Sequence, residues 1–373
     1  MRGITIPKTI RRDTERYLII EETNGGFRAT IAKTNSREKE IRILKTFEVK
    51  EIKKLKKLFY FKFDKVVLAL DSQTVATVQD VFGIATSSRM EAITDSELED
   101  LVFKALWEFL NKYRNWAAKK LNVSDAGIIL NDVQVRGVKL DSHRLFNPAG
   151  FKGGEITFTL KGTFITRQLY SDIADLSAMG KISIIEKNAA LVSFLEDDRE
   201  LLVSIGEERT DVFLKDGERE IFKEELNWGV RRLKEKVSEE FGVDYETAER
   251  LIGVYSQGLT SEAVGRRFKR IIAEGFGDLL RLVNVRGKKF TFYFESSVLP
   301  TEILLRDVKT NVCRFDEELT RRNLRITKSK RVKFDLFQNQ GTATLLIYSY
   351  VDERYEFLNA MLERRAGWLV SHF

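Results

Sequence analysis

A single cysteine, Cys313, in 373 residues rules out an intrachain disulfide framework and any zinc site built on paired cysteines. Two histidines, His143 and His372, leave little material for a His-based metal centre or a nucleophilic triad. Three prolines, Pro7, Pro148 and Pro300, and the lack of low-complexity sequence leave no linker on which subdomains could be strung apart. No run of about 18 apolar residues is present, so no segment reads as a membrane-spanning helix. The opening MRGITIPKTIRR lacks the apolar stretch of a secretion signal. These absences predict a cytoplasmic protein, at most peripheral on the inner face of the cell membrane.

What is present is ample core material. Hydrophobic residues make up 43% of the chain and aromatics 11%, so a packed interior is expected, and the length calls for more than one subdomain. The net charge of +7 arises from interspersed charges of both signs. It suits an acidic partner or an anionic membrane surface, and lacks the concentrated basic stripe of a nucleic-acid binder.

The stretch Leu201–Gly217, LLVSIGEERTDVFLKDG, reads as a β-hairpin: Leu201–Ile205 and Thr210–Leu214 flank a polar turn, and Asp216-Gly217 makes a second turn. Tyr17–Ile20 and Phe27–Ala32 around EETNGG repeat the same strand–polar turn–strand pattern, with Ile41–Val49 as a third strand. Lys50–Leu58, KEIKKLKKL, has apolar residues three apart and reads as an amphipathic helix with a solvated lysine face. Lys65–Leu70 is an apolar strand. Thr94 with Glu97 three residues later forms a capping box for a long helix whose stripe is Leu98, Leu101, Val102, Ala105, Leu106, Phe109 and Leu110. Ile128–Lys139 and Glu155–Thr166 alternate as strands around the turn Asn147–Gly150. Residues 87–167 thus read as an αβ insertion with a sheet of its own. Asp172–Met179 and Lys187–Leu195 read as helices around a strand at Ser183–Ile185. The span from Asn227 to Val285 reads as mainly helical, Phe290–Phe294 as a strand and Gly341–Tyr350 as a helix.

The order of these pieces, from KVVLALDSQTVATVQDVFGIA and EAITDSELEDLVFKA through NPAGFKGGEITFTLKGTFIT, EKNAALVSFL, KDG, NWGV and YETAERL to GTATLLIYSY, resembles the FtsA family of bacterial actin-like division proteins. The resemblance implies an α/β, actin-like (ribonuclease H-like, duplicated) ATPase fold with an inserted αβ subdomain. It places 1–86, 168–200 and 343–373 in the first subdomain with the C-terminal tail, and 87–167 in the insertion. The second half would take 201–230 and 287–342, with 231–286 as its helical cap. It also implies a nucleotide cleft, self-association, and a link between FtsZ-type filaments, or another division or membrane protein, and the membrane. A pilus-assembly-type adaptor, PilM-like, that takes a short peptide from a membrane protein, and a nucleotide-dependent ATPase polymer, are the alternatives.

Phosphate binding in such a cleft needs backbone N–H groups in two glycine-bearing turns, and carboxylates that order the waters of Mg²⁺. By the resemblance, Glu21, Thr23, Asn24 and Gly25 form the first turn, with Glu in place of Asp and Thr in place of Gly. In the second, Gly206, Thr210 and Asp211 match, but Ser204 replaces the Asp, and Glu207 and Glu208 stand where glycines belong. A carboxylate about 6 Å from a phosphate oxygen is unfavourable by roughly 3 kcal/mol at an effective dielectric near 20. Arg209 could offset part of this. The adenosine loop has Glu295, Ser296 and Ser297 in place of glycines, and Glu249 keeps the ribose-contacting acid while Ile252 replaces a Lys. The expectation is Mg-ATP bound weakly or not at all, no catalytic residue and no metal site. In the tail, Tyr355, Phe357, Leu358, Met361, Leu362, Trp368, Leu369 and Phe373 make an apolar face flanked by Arg364 and Arg365. That composition suits a membrane interface, whereas Gly367 and the absence of a linker suit docking onto the first subdomain.

Overall fold

The computed structural model describes residues 14–371 apart from 24–25, 52–53, 55–61, 196–198, 284–290, 297–298, 300, 309–310, 313–318, 320–322, 330–331, 333–339 and 351–354. In chain order the strands are β1 (Thr14–Thr23), β2 (Gly26–Asn35), β3 (Glu40–Val49), β4 (Lys65–Leu70), β5 (Val75–Ala85), β6 (Ile128–Leu140), β7 (His143–Arg144), β8 (Glu155–Thr166), β9 (Lys181–Glu186), β10 (Glu200–Ile205), β11 (Thr210–Asp216), β12 (Arg219–Leu226), β13 (Thr291–Ser296), β14 (Asn311–Val312) and β15 (Arg325–Lys328). The longer α-helices are α1 (Asp95–Lys120), α2 (Arg167–Ile173), α3 (Lys187–Val192), α4 (Val230–Phe241), α5 (Tyr245–Ser256), α6 (Glu262–Leu282), α7 (Gln340–Tyr350) and α8 (Glu356–Ser371).

One strand plan occurs twice. The first sheet has the order β15-β3-β2-β1-β4-β9, with β1, β2 and β3 antiparallel and β4 parallel to β1. The second sheet contains β14-β13-β10-β11-β12, with β10, β11 and β12 antiparallel and β13 and β14 parallel to β10. Numbered within each half, both read 3-2-1-4-5. Two copies of this order in one chain are the duplicated ribonuclease H-like plan of the actin-like ATPase fold. The central strands explain the order: Leu18, Ile19 and Ile20 of β1 and Leu201, Leu202 and Val203 of β10 are fully buried, as strands covered on both faces must be.

Two compact units result: Met1–Leu70, Gln168–Ile185 and Phe315–Val351 in the first, and Asp71–Arg167, Glu186–Arg314 and Asp352–Phe373 in the second. In the first unit, α7 lies on β1 and β4. β15 pairs parallel to β3, from Arg325↔Glu40 to Lys328↔Ile43, and covers an edge that would otherwise expose unpaired backbone groups. The stretch around β15 was expected in the second half. The chain instead returns to the first sheet here.

In the second unit the insertion does not have a sheet of its own. Its strands β6, β7 and β8 continue the second sheet through β5, giving the order β12-β5-β8-β6-β7. β12 meets β5 at one backbone pair, Glu220↔Gln79. Side chains hold the rest of this junction. Lys161 Nζ reaches Glu220 at 2.8 Å, Arg219 reaches Asp80 at 2.8 Å, and Gln79 Nε2 donates to the Glu218 carbonyl at 2.7 Å.

Helix α1 starts where Thr94 predicts, its hydroxyl accepting from the Glu97 N–H at 3.2 Å. The Glu97 carboxylate also accepts from the Ser87 N–H at 2.9 Å and from the Ser87 hydroxyl. The apolar stripe of α1 packs on β5, β6 and β8, with Phe109 stacked on Phe164 at 5.8 Å between ring centroids. Most of the amphipathic helix expected at Lys50–Leu58 lies outside the described residues. α8 joins the same core as α1: Tyr355, Leu358, Met361 and Leu362 are buried there, each worth roughly 1.5–3 kcal/mol of apolar burial. The tail therefore docks on the inserted layer rather than on the first subdomain.

Candidate functional site

In the first unit, the β1–β2 turn closes with Thr23 opposite Gly26, and Asn24 and Gly25 lie outside the described residues. Glu21 is buried, and the Thr342 hydroxyl, in the first turn of α7, donates to its Oε2 at 2.6 Å. Arg28 stands 4.0 Å from the same oxygen. A Cβ at Gly341 would lie 2.3 Å from Glu21 Oε1, so that glycine leaves room for the carboxylate. Glu21 is thus held against the N-terminal end of a helix, a favourable place for a negative charge.

The second unit carries the β10–β11 turn. Gly206 closes it, its N–H donating to the Arg209 carbonyl at 2.9 Å. The start of α4 is pressed onto this turn. Val230 N–H donates to the Gly206 carbonyl at 3.0 Å and Arg231 N–H to the Glu207 carbonyl at 2.9 Å. A Cβ at Gly229 would meet Glu207 O at 2.3 Å, so only glycine permits the approach. The amides at the head of α4, which could have faced an anion, are used by turn carbonyls.

The two acids of the turn are matched by cations from α4. Lys234 Nζ sits 2.8 Å from Glu207 and 2.7 Å from Glu249, and Arg231 sits 2.8 Å from Glu208. The Tyr245 hydroxyl donates to Glu207 at 2.6 Å. Burial, followed by this bond to the carboxylate, pushes the Tyr245 phenol up to about 12. Burial alone would lower Lys234, but Glu207 and Glu249 outweigh it and raise its pKa. Arg209, expected to compensate the acids, turns away to Glu225. Glu249 faces Lys234, and Ile252 is buried in the core.

Deeper in the same hairpin, the Ser204 hydroxyl donates to Asn188 Oδ1 at 3.0 Å, and Asn188 Nδ2 donates to Asp211 at 3.3 Å. The Ser72 hydroxyl also bonds Asp211. Burial, reinforced by nearby Glu186 and Glu225, pushes the Asp211 carboxyl up to about 7 despite Ser72 and Lys120. Thr210 is buried and donates to the Trp228 carbonyl at 2.7 Å, fixing the turn to the strand–helix connection. In the loop after β13, the Ser296 hydroxyl donates to the Ile205 carbonyl at 2.7 Å and accepts from the Leu299 N–H at 2.9 Å. Glu295 pairs by backbone with Ser204, and Ser297 lies outside the described residues.

The described residues of the second turn do not fit a phosphate group. The second turn presents two carboxylates, its neighbouring helix amides are bonded to its own carbonyls, and Lys234 is held between Glu207 and Glu249. Among the described residues no group of three or more His, Cys, Asp or Glu is placed to hold a metal. Sequence reasoning named the turn but missed Lys234, Arg231, Tyr245, Gly229 and Thr342. The available signal was the Arg231/Lys234 spacing of three on the first turn after NWGV, which puts two cations on one helix face behind an acidic turn.

Of the tail residues, Tyr355, Leu358, Met361 and Leu362 are buried and Phe357 is half-buried. Trp368 and Leu369 lie within α8, and Phe373 is outside the described residues. Among the described residues no helix is long and apolar enough to cross a membrane.

No known protein family profile matches this chain, and no curated protein matches its sequence. Solved structures do show similarity. The PilM–PilN type IV pilus biogenesis complex is 13% identical, covering 91% of this chain and 98% of that one, with a TM-score of 0.46. A Bacteroides thetaiotaomicron protein of actin-like ATPase fold and unknown function is 9% identical over 89% and 96%, with a TM-score of 0.39. The cytoplasmic domain of EpsL, an inner-membrane component of the Vibrio cholerae type II secretion system, is 7% identical over 91% and 96%, with a TM-score of 0.35. At these identities the likeness is one of fold, and no residue role passes from these proteins to this chain.

Proposed function

We propose that this protein is an actin-fold adaptor that does not turn over ATP and that holds a segment of a membrane-associated partner, in the manner expected of a PilM-like protein. The observation that carries the reading is the second hairpin turn, where Glu207 and Glu208 are paired with Lys234 and Arg231. The buried first half of α8 favours a partner-holding adaptor over a protein that anchors itself through its tail. The excess positive charge suits an acidic partner segment. Phosphate release from Mg-ATP tests the reading: no turnover above a protein-free control is expected, and steady hydrolysis would overturn it.

A second reading is a division adaptor that self-associates and links an FtsZ-type filament to an anionic membrane surface. In its favour, α8 continues past Arg364 through Trp368 and Leu369 to Ser371. Co-sedimentation with FtsZ polymer, with and without ATP, separates the two readings, because only the division adaptor pellets. Liposome flotation of the full chain against a chain ending at Tyr350 tests the anchor, and equal flotation of the two eliminates it.

A further inference from the structure

α8 is seated as a separate ligand would be. Tyr355, Leu358, Met361 and Leu362 fill an apolar groove between α1 and β6. Its polar contacts are aimed the same way. Asn359 Oδ1 accepts from the Val135 N–H at 2.7 Å, and its Nδ2 donates to the Val135 carbonyl at 3.4 Å. One side-chain amide thus pairs both backbone groups of a residue on β6, as a neighbouring strand would. Arg144 Nε donates to the Tyr355 hydroxyl at 3.3 Å, the Phe146 ring lies 5.7 Å from the Tyr355 ring, and Arg364 stands 3.7 Å from Glu99.

The groove and the helix belong to the second unit, yet α8 follows α7 of the first unit through residues 351–355 only. We propose that this groove also accepts the α8 of a second copy, so that chains link by exchanging their C-terminal helices. An empty groove would expose four buried apolar positions and two unpaired backbone groups, so it favours being filled, in cis or in trans, by the helix it is shaped for. Exchange breaks and remakes the same bonds, and its cost reduces to association and the rearrangement of one short connection. A tail donated to a neighbour's groove is a heterologous contact, which closes into a pair when the donation is mutual and otherwise continues from chain to chain. This inference stands on the tail alone and is independent of what the hairpin turns bind.

Phe146 is half exposed and touches Tyr355, so a photoreactive phenylalanine analogue at 146 reports which copy supplies the tail with little disturbance of the fold. Isotope-labelled and unlabelled full chains carrying it are mixed at high concentration, irradiated and digested. The expected result is cross-links between the 146 and 355 segments that join labelled to unlabelled chains, falling to background in Leu358→Asp. Cross-links joining only like-labelled segments at every concentration would overturn the proposal. Sedimentation velocity of the unmodified chain gives a second measurement. A mass that grows with concentration is expected, and it should not grow for Leu358→Asp, which keeps the tail from docking in any groove; growth unchanged by Leu358→Asp would contradict the exchange.

Discussion

The two hairpin turns join the first two strands of the same strand order in the two sheets and are built differently. The first carries one acid, Glu21, which accepts from the Thr342 hydroxyl at the head of α7 and has Arg28 4.0 Å away. The second has Ser204 at the end of its first strand and two acids in the turn, and it is braced by backbone bonds from Val230 and Arg231 as well as ion pairs to Lys234 and Arg231. Because the acids of the second turn find cations on the adjacent helix, that turn is part of the packing.

Two glycines break this comparison most sharply. At Gly229 a Cβ would strike Glu207 O at 2.3 Å and Glu208 C at 2.5 Å, backbone atoms that cannot move without lifting the turn from α4. Gly229→Ala should cost about 2–3 kcal/mol in urea unfolding. Lys234→Met, which leaves Glu207 and Glu249 facing each other without their shared cation, should cost about 2 kcal/mol, below the usual range for broken buried pairs because Glu249 is largely solvated. The same comparison at high pH gives the sign. The Lys234 contribution is fully present below its unfolded pKa and is lost as pH rises through the raised folded value.

Asp211 separates the turns by pH. Its folded pKa, pushed up to about 7, lies above its unfolded value of about 3.9, so the folded state holds a proton that the unfolded state has released. Its contribution is therefore complete below about pH 4 and lost as pH rises through about 7. Asp211→Asn should match the parent at acid pH and exceed it by about 1–2 kcal/mol at about pH 8, measured as the difference in denaturant midpoint. The smallest effect belongs to the first turn. At Gly341 a Cβ would also fall at 2.3 Å, but from Glu21 Oε1, the end of a side chain. Gly341→Ala should stay within about 1 kcal/mol of the parent, because the helix gains about as much from alanine as Glu21 loses in moving. Equal losses at Gly229 and Gly341 would remove the distinction between the turns.

Sequence reading reached the strands whose burial is continuous or cleanly alternating. Lys65–Leu70 and Glu155–Thr166 were read to the residue, and α1 from its Thr94 cap. It missed β5 and β12 as strands because both carry charge where a strand core is expected: Asp80 is buried but tied to Lys112, Tyr113 and Arg219, and Glu220 is buried against Lys161 and Lys215. Those partners lie on other elements, so periodicity cannot show that the charges are matched. The same limit hid the site. The acids at 207 and 208 were legible as a loss of phosphate-turn geometry, whereas Lys234 and Tyr245, which turn that loss into a closed cluster, come from α4 and α5. The tail was legible as an apolar face, but its resting place against β6 depends on Asn359 finding an edge strand more than 200 residues earlier in the chain.

The central claim is that the second turn fills its own anion site. Isothermal titration of the full chain with Mg-ATP tests it most directly, alongside a Glu207→Gly/Glu208→Gly variant as a reference for the reopened turn. The account predicts no saturable heat from the parent at micromolar nucleotide. One-to-one binding of Mg-ATP by the parent at micromolar affinity would contradict it.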